Sequence, residues 1–191
     1  LEDGQIVISR AKMSITYPAK FILLGAMNPC PCGFLGDSEK TCTCSEYQIQ
    51  KYLGRLSGPL LDRIDLQIDV ARLTSDELLN MNSANETSAD IRKRVIKARQ
   101  IQAERYKNDG ILTNSELDTK LIKKYCQVDK ACEAVLKMAI VKYRLSGRKY
   151  DRTLKLARTI ADLDGAKDIQ TNHLSQALQY RISDVLELAN K

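Results

Sequence analysis

The stretch from Phe21 to Val70 constrains this chain most. An uninterrupted apolar run, Phe21 to Met27, stops at Asn28-Pro29, and four cysteines follow within fifteen residues: Cys30, Cys32, Cys42 and Cys44. A run of that kind suits a strand buried on both faces, as in a parallel α/β sheet. Ser45 with Gln48 three residues on reads as a capping box, so a helix is expected to about Leu56. Ser57-Gly58-Pro59 then opens a short helix with proline at its first position, where the missing N–H costs nothing. From Ile64 to Val70, Ile64, Leu66, Ile68 and Val70 alternate with Asp65, Gln67 and Asp69, the pattern of a strand with one buried face.

Ahead of this stretch, Ile6-Val7-Ile8 and the alternating Met13, Ile15 and Tyr17 predict a β-hairpin turning at Ser9-Arg10-Ala11-Lys12. Pro18 ends it, having no donor for a ladder bond. Beyond Val70 the pattern turns helical. Thr74 or Ser75 caps a short helix to Leu79, and residues 80–87 are polar and aperiodic, a linker between two domains.

Ser88 is expected to cap a long helix to about Lys107. Its stripe is Ile91, Val95, Ala98, Gln102 and Tyr106, and its other faces carry Arg92, Lys93, Arg94, Lys97, Arg99 and Arg105. Those cations are a solvated face or a phosphate-facing stripe. Four more helices are expected. They run over Ser115–Tyr125 behind Asn114, from Asp129 to Tyr143 with Ala131, Val135, Met138, Ala139 and Lys142 near one face, from Ser146 to Leu163, and from Thr171 to Tyr180; Ser183 opens a last one. The fold class is thus α/β plus all-α. Residues 1–80 form the end of an α/β core with a cysteine-rich insertion, 81–87 the linker and 88–191 a helical domain.

Charge and composition narrow the partners. The net charge of +6 is compatible with phosphate-bearing ligands. Aromatic residues are only 5%, with no Trp, which argues against single-strand nucleic-acid binding by base stacking, since that needs aromatic platforms. No apolar run approaches the ~20 residues of a membrane span, and Leu1-Glu2-Asp3 does not open a signal peptide, so a cytoplasmic protein is expected. In that compartment cysteines are thiols or metal ligands before they are disulfides. Cys30-Pro-Cys32 and Cys42-Thr-Cys44 could supply four thiolates to one Zn2+, although pairs in zinc sites are usually spaced more widely. Free thiols, or disulfides formed in air, are the other readings. Cys126 and Cys132 read as buried core.

The sequence holds no G-x-x-x-x-G-K-[ST] phosphate loop. Nor does it hold an apolar strand ending in paired acids, or a Ser/His/Asp set, since His173 is the only histidine. His173 is read as structural.

GAMNPCPCGFLGD, the CTC pair, GRLSGPLLDRIDL, SGRKYDRTLKLARTIADL and HLSQALQYR together resemble the C-terminal part of the magnesium-chelatase-like AAA+ ATPases of the ComM (YifB) type. The resemblance spans nearly the whole chain, with its blocks in the family's order. It implies a fragment: the end of an AAA+ P-loop core, with parallel strands and a β-hairpin, followed by a helical lid. The phosphate loop and acidic strand would precede Leu1. ATP and Mg2+ are then the cofactors of the parent, a hexameric ring of like subunits its assembly, and DNA its partner.

The resemblance also implies roles. Asn28 takes the place of sensor 1, orienting the attacking water at the end of a strand where α/β sheets bind ligands; the plainer reading of Asn-Pro is a turn. Arg63 takes that of an arginine finger acting on a neighbour's ATP, against an ordinary ion pair with Asp62 or Asp65. Arg55 is a weaker candidate for that role. Arg148 takes the place of sensor 2, with Arg152 one turn on as the second choice, while Arg158 is read as structural. The implied activity is ATP hydrolysis coupled to DNA remodelling such as branch migration, with this fragment inactive alone. Driving a metal into a tetrapyrrole, and a nonenzymatic zinc-and-helix nucleic-acid module, are the alternatives.

Overall fold

The structure is a computed structural model that describes residues 4–10, 13–73, 75 and 86–180. The expected helices near residues 75–79 and 183, and most of the expected linker, lie outside the described residues. Two compact units divide between Ile64 and Asp65.

The first unit opens with the expected hairpin. Strands β1 (Gln5–Arg10) and β2 (Met13–Pro18) pair antiparallel, with Ile8 opposite Ile15 and Arg10 opposite Met13. Helix α1 (Glu46–Leu53) starts at the Ser45 capping box: Gln48 N–H donates to Ser45 Oγ at 3.3 Å, and Ser45 N–H donates to Gln48 Oε1 at 2.9 Å. Such a cap stabilises a helix by about 1 kcal/mol. Helix α2 (Gly58–Leu61) is capped by Ser57, with Pro59 as its second residue rather than the expected first.

The expected parallel strands are not formed. Phe21–Met27 and Ile64–Val70 have no ladder partner, and β1 with β2 is the only sheet among the described residues. A strand buried on both faces needs neighbours for its N–H and C=O groups and for both rows of side chains. Neither run lies in such a sheet among the described residues, and Ile22 and Leu24 are 96% and 93% exposed. Among the described residues of this unit, Cys30 and Leu53 are the only buried apolar side chains.

The second unit is helical: α3 (Ser88–Tyr106), α4 (Thr119–Tyr125), α5 (Lys130–Tyr143), α6 (Gly147–Leu163) and α7 (Thr171–Gln179), with a 3-10 turn at Asn114–Glu116. Two caps differ from expectation by one position. Thr87 caps α3, and Gln170 caps α7 in a box closed by His173. The single helix expected behind Asn114 is instead the 3-10 turn and α4, because Asp118 offers a second cap to the Leu121 N–H.

Helix α6 is central, packing against α3, the 3-10 turn, α4 and α7. Its stripe of Leu154, Ala157, Ile160 and Ala161 is buried, and the first three share one core cluster with Tyr106, Leu117, Ile122, Cys132, Leu136 and Leu174. Full burial of each leucine or isoleucine contributes roughly 1.5–3 kcal/mol. On α5 the buried face is Cys132, Leu136 and Ala139, one step round from the expected one, and Met138 is 65% exposed. On α3 only Ala98, Gln102 and Tyr106 are buried, while Ile91 and Val95 remain exposed.

A polar cluster crosses this core. Asp162, 1% exposed, accepts from Arg105 through both carboxylate oxygens, from Asn114 at 2.9 Å and from Arg158 Nε at 3.1 Å. Arg158 spends its remaining donors on the Ala166 and Lys167 carbonyls, the structural role expected of it. Burial alone would raise the Asp162 pKa, but Arg105, Asn114 and Arg158 outweigh it and hold the carboxyl below its ordinary range. His173 is likewise structural: its Nδ1 accepts from the Gln170 N–H at 3.0 Å, and its Nε2 lies 3.1 Å from Asp164.

Candidate metal centre and basic positions

The four cysteines of the first unit converge. Cys30 Sγ lies 3.4 Å from Cys32 Sγ and 3.7 Å from Cys42 Sγ, and Cys32 Sγ lies 3.5 Å from Cys42 Sγ. With Cys44 included, all four sulfurs fall within 4.8 Å of one another. A tetrahedron with Zn–S bonds of ~2.3 Å has edges of ~3.8 Å. The quartet therefore fits a metal ion, and all six cysteines of the chain are free thiols in the structure.

Local backbone explains how two tight C-x-C pairs reach this geometry. Gly33 N–H donates to the Cys30 carbonyl at 3.0 Å and closes a turn across Pro31-Cys32. Gly33 takes φ +82°, a conformation that other residues rarely adopt. Asp37 holds the far side of the loop by accepting from the Glu39 and Lys40 N–H groups at 2.8 and 2.9 Å. The Phe34 and Thr43 N–H groups both donate to the Cys32 sulfur and lower its pKa to about 5. Burial, with the other sulfurs close by, pushes Cys44 up to about 12. Sequence reasoning grouped these cysteines but had no access to the amides that aim them.

Asn28 adjoins this loop. A Cβ placed on Gly33 would stand 3.9 Å from the Asn28 side-chain amide. Asn28 is exposed, and its amide makes no hydrogen bond among the described residues. Arg63 follows α2, and its guanidinium turns back to donate to the Pro59 carbonyl at 2.7 Å. Arg55 lies just past α1 and is exposed.

In the helical unit, Arg148 sits in the first turn of α6 and is exposed. Arg152 is one turn further on, but its guanidinium is only 17% exposed and pairs with Asp65 at 2.7 Å. Asp65 therefore serves Arg152, a role the sequence pattern, which offered it to Arg63, did not reveal. No described helix is long and apolar enough to cross a membrane.

Comparisons with known proteins cover both units. The magnesium chelatase subunit ChlI model matches residues 1–78, and the magnesium chelatase subunit ChlI C-terminal model matches residues 85–181. Competence protein ComM of Haemophilus influenzae is 45% identical over 95% of this chain and 34% of its own length. The YifB proteins of Salmonella typhimurium and Escherichia coli are 41% and 38% identical over 97% of this chain, each over 36% of its own length. The chain thus spans about a third of the length of these relatives. Because the two models match in order and between them take in the cysteine quartet, Asn28, Arg63, Arg148 and Arg152, the chain belongs to the magnesium chelatase ChlI family.

Proposed function

We infer that the chain is part of a ring-forming AAA+ ATPase of the ComM type that couples ATP hydrolysis to remodelling of DNA. The observation that carries this reading is the placement of three polar groups within the family-matched residues. Asn28 follows the apolar run Phe21–Met27, Arg63 precedes the run Ile64–Val70, and Arg148 lies in the first turn of the central helix of the second unit. A nucleotide held between subunits needs such groups: one to orient water, one to neutralise transition-state charge from a neighbour, and one to sense the nucleotide from a lid.

The apolar runs Phe21–Met27 and Ile64–Val70, which lie in no sheet among the described residues, support the same reading. In the longer protein they would be completed by strands of an ATPase core, which would also bring the phosphate loop and the Mg2+-holding acids. The competence protein among the relatives favours DNA over a tetrapyrrole as the object of the work. Arg152, engaged by Asp65, is the weaker candidate for nucleotide contact, and Arg148 the stronger. The cysteine quartet holds Zn2+ as a closed structural site, since four protein sulfurs leave no position for substrate. In a unit with so little buried apolar surface, such an ion would replace missing core.

The test is phosphate release in Mg2+ by the full-length protein, with and without branched DNA, beside the 191-residue chain alone. DNA should stimulate the former, and the latter should stay at background. Indifference to DNA together with stimulation by a tetrapyrrole would replace this reading with the chelatase one.

A further inference from the structure

One face of α1 runs beside the cysteine quartet. Gln48, Lys51 and Tyr52 lie along it, and with Arg55 just past the helix and Pro31, between two of the clustered cysteines, they line a shallow groove. Lys51 lies in the last turn of α1, and Arg55 follows just past its end. Neither makes an ion pair with a carboxylate among the described residues; Lys51 has only the Tyr47 ring, 5.9 Å away. Glu46 is the one acid of α1, and it does not line the groove. The Gln48 carbonyl is used by the Ser45 cap, which leaves its amide protons for a ligand. Tyr52 and Pro31 supply apolar surface between the cations.

We propose that this groove is a contact site for a single-stranded nucleic acid, with Lys51 and Arg55 on successive backbone phosphates and one base against Tyr52. The pairing of two uncompensated cations with a single ring sets the ligand class. A strand presents a phosphate at every nucleotide and so can meet both cations that line the groove, whereas an open groove gives a mononucleotide no enclosure. One ring can stack one base only, so phosphate contacts dominate, in keeping with a chain so poor in aromatic residues. The inference rests on the metal reading in one respect: the ion would fix Pro31 as the groove's rigid wall.

The experiment is a fluorescence-anisotropy titration of the zinc-loaded chain with a labelled oligo-dT at several salt concentrations. A single strand loses a slope of about 0.7 in log K against log salt per neutralised phosphate. The double variant Lys51→Gln/Arg55→Gln should therefore reduce the slope by about 1.4 and weaken binding about tenfold or more at low salt. Both positions are exposed, so folding should be unaffected. Tyr52→Leu should weaken binding about tenfold with the slope unchanged. As a charge-matched control, Lys137→Gln/Lys142→Gln on α5 should leave both quantities intact.

Absence of binding, equal losses in the two double variants, or displacement of the strand by equimolar ATP would each overturn the proposal. Metal uptake is read separately, from the visible thiolate-to-metal bands of the Co2+-substituted chain. If those bands are missing while the α1 variants still lose slope, the metal reading fails and the groove stands. If the bands form and the slope does not change, the groove assignment falls alone.

Discussion

Arg152 and Asp65 stand 87 residues apart in sequence, and their side chains meet at 2.7 Å. The pair ties helix α6 to the segment that follows Arg63 by two residues. Asp65 is 71% exposed, so the pair should contribute only about 0–1 kcal/mol. Asp65→Asn and Arg152→Gln should each lower the denaturation midpoint slightly, and a double-mutant cycle should give a coupling that fades with added salt. In the full-length ATPase, Arg148→Ala should weaken nucleotide binding more than Arg152→Gln does. Equal losses in a nucleotide-binding titration would count against Arg148 as the nucleotide-contacting arginine.

Asp162 makes a stronger demand. Asp162→Asn leaves Arg105 and Arg158 without their common carboxylate, and breaking a buried pair in this way costs about 3–5 kcal/mol. Because the folded pKa of Asp162 is depressed, its contribution is present in full above the ordinary carboxylate pKa of ~3.9 and is lost as pH falls through and below it. Urea unfolding followed from neutral pH into that acid range should show wild-type stability falling, with the Asn variant flatter over the same range.

Thiol counting should separate the cysteines into two classes. Cys126 and Cys132 are buried, and burial pushes each up to about 11, so both should resist a disulfide reagent in the folded chain at neutral pH. The other four should react in metal-free protein and be protected after Zn2+ is added, with one ion per chain by elemental analysis. Rapid labelling of all six without metal would refute the buried assignment. Four thiols equally reactive with and without Zn2+ would refute the metal centre.

The elements legible in the sequence are those whose causes are local. The Ser45 box, the Ser146 cap and the stripe of α6 each depend on residues within a turn or two, and all three form where their pattern lies. What was not legible depends on distant partners. Phe21–Met27 has the composition of a buried strand, but a strand exists only where another backbone pairs with it. Ile91 and Val95 continue the stripe of α3, yet periodicity names a face without naming what covers it.

The candidate site divides in the same way. Spacing brought four cysteines into one hypothesis, and the loop geometry bears out their convergence. The path of a long side chain is set by its surroundings instead, so the turn of Arg63 toward Pro59 and the capture of Arg152 by Asp65 left no sequence signal.

Arg63 carries the sharpest prediction. Its guanidinium donates to a carbonyl of its own helix, Pro59, an exposed contact of modest strength. A neighbouring subunit's phosphate, being charged, would bind an arginine more strongly than a neutral carbonyl does. In the ring proposed for the full-length protein, Arg63→Ala should therefore leave ATP binding nearly intact and reduce hydrolysis by about 10³-fold or more, because a finger acts chiefly on transition-state charge. Mixing this variant with a subunit whose phosphate loop is inactivated tests the geometry. Some interfaces of such mixed rings join an intact loop to an intact finger, so part of the activity should return. A mixture as inactive as either parent, with subunit exchange confirmed, would mean that Arg63 acts within its own chain or that all interfaces fire together. Normal hydrolysis by Arg63→Ala alone would end the finger assignment and transfer it to Arg55, an exposed arginine just past α1.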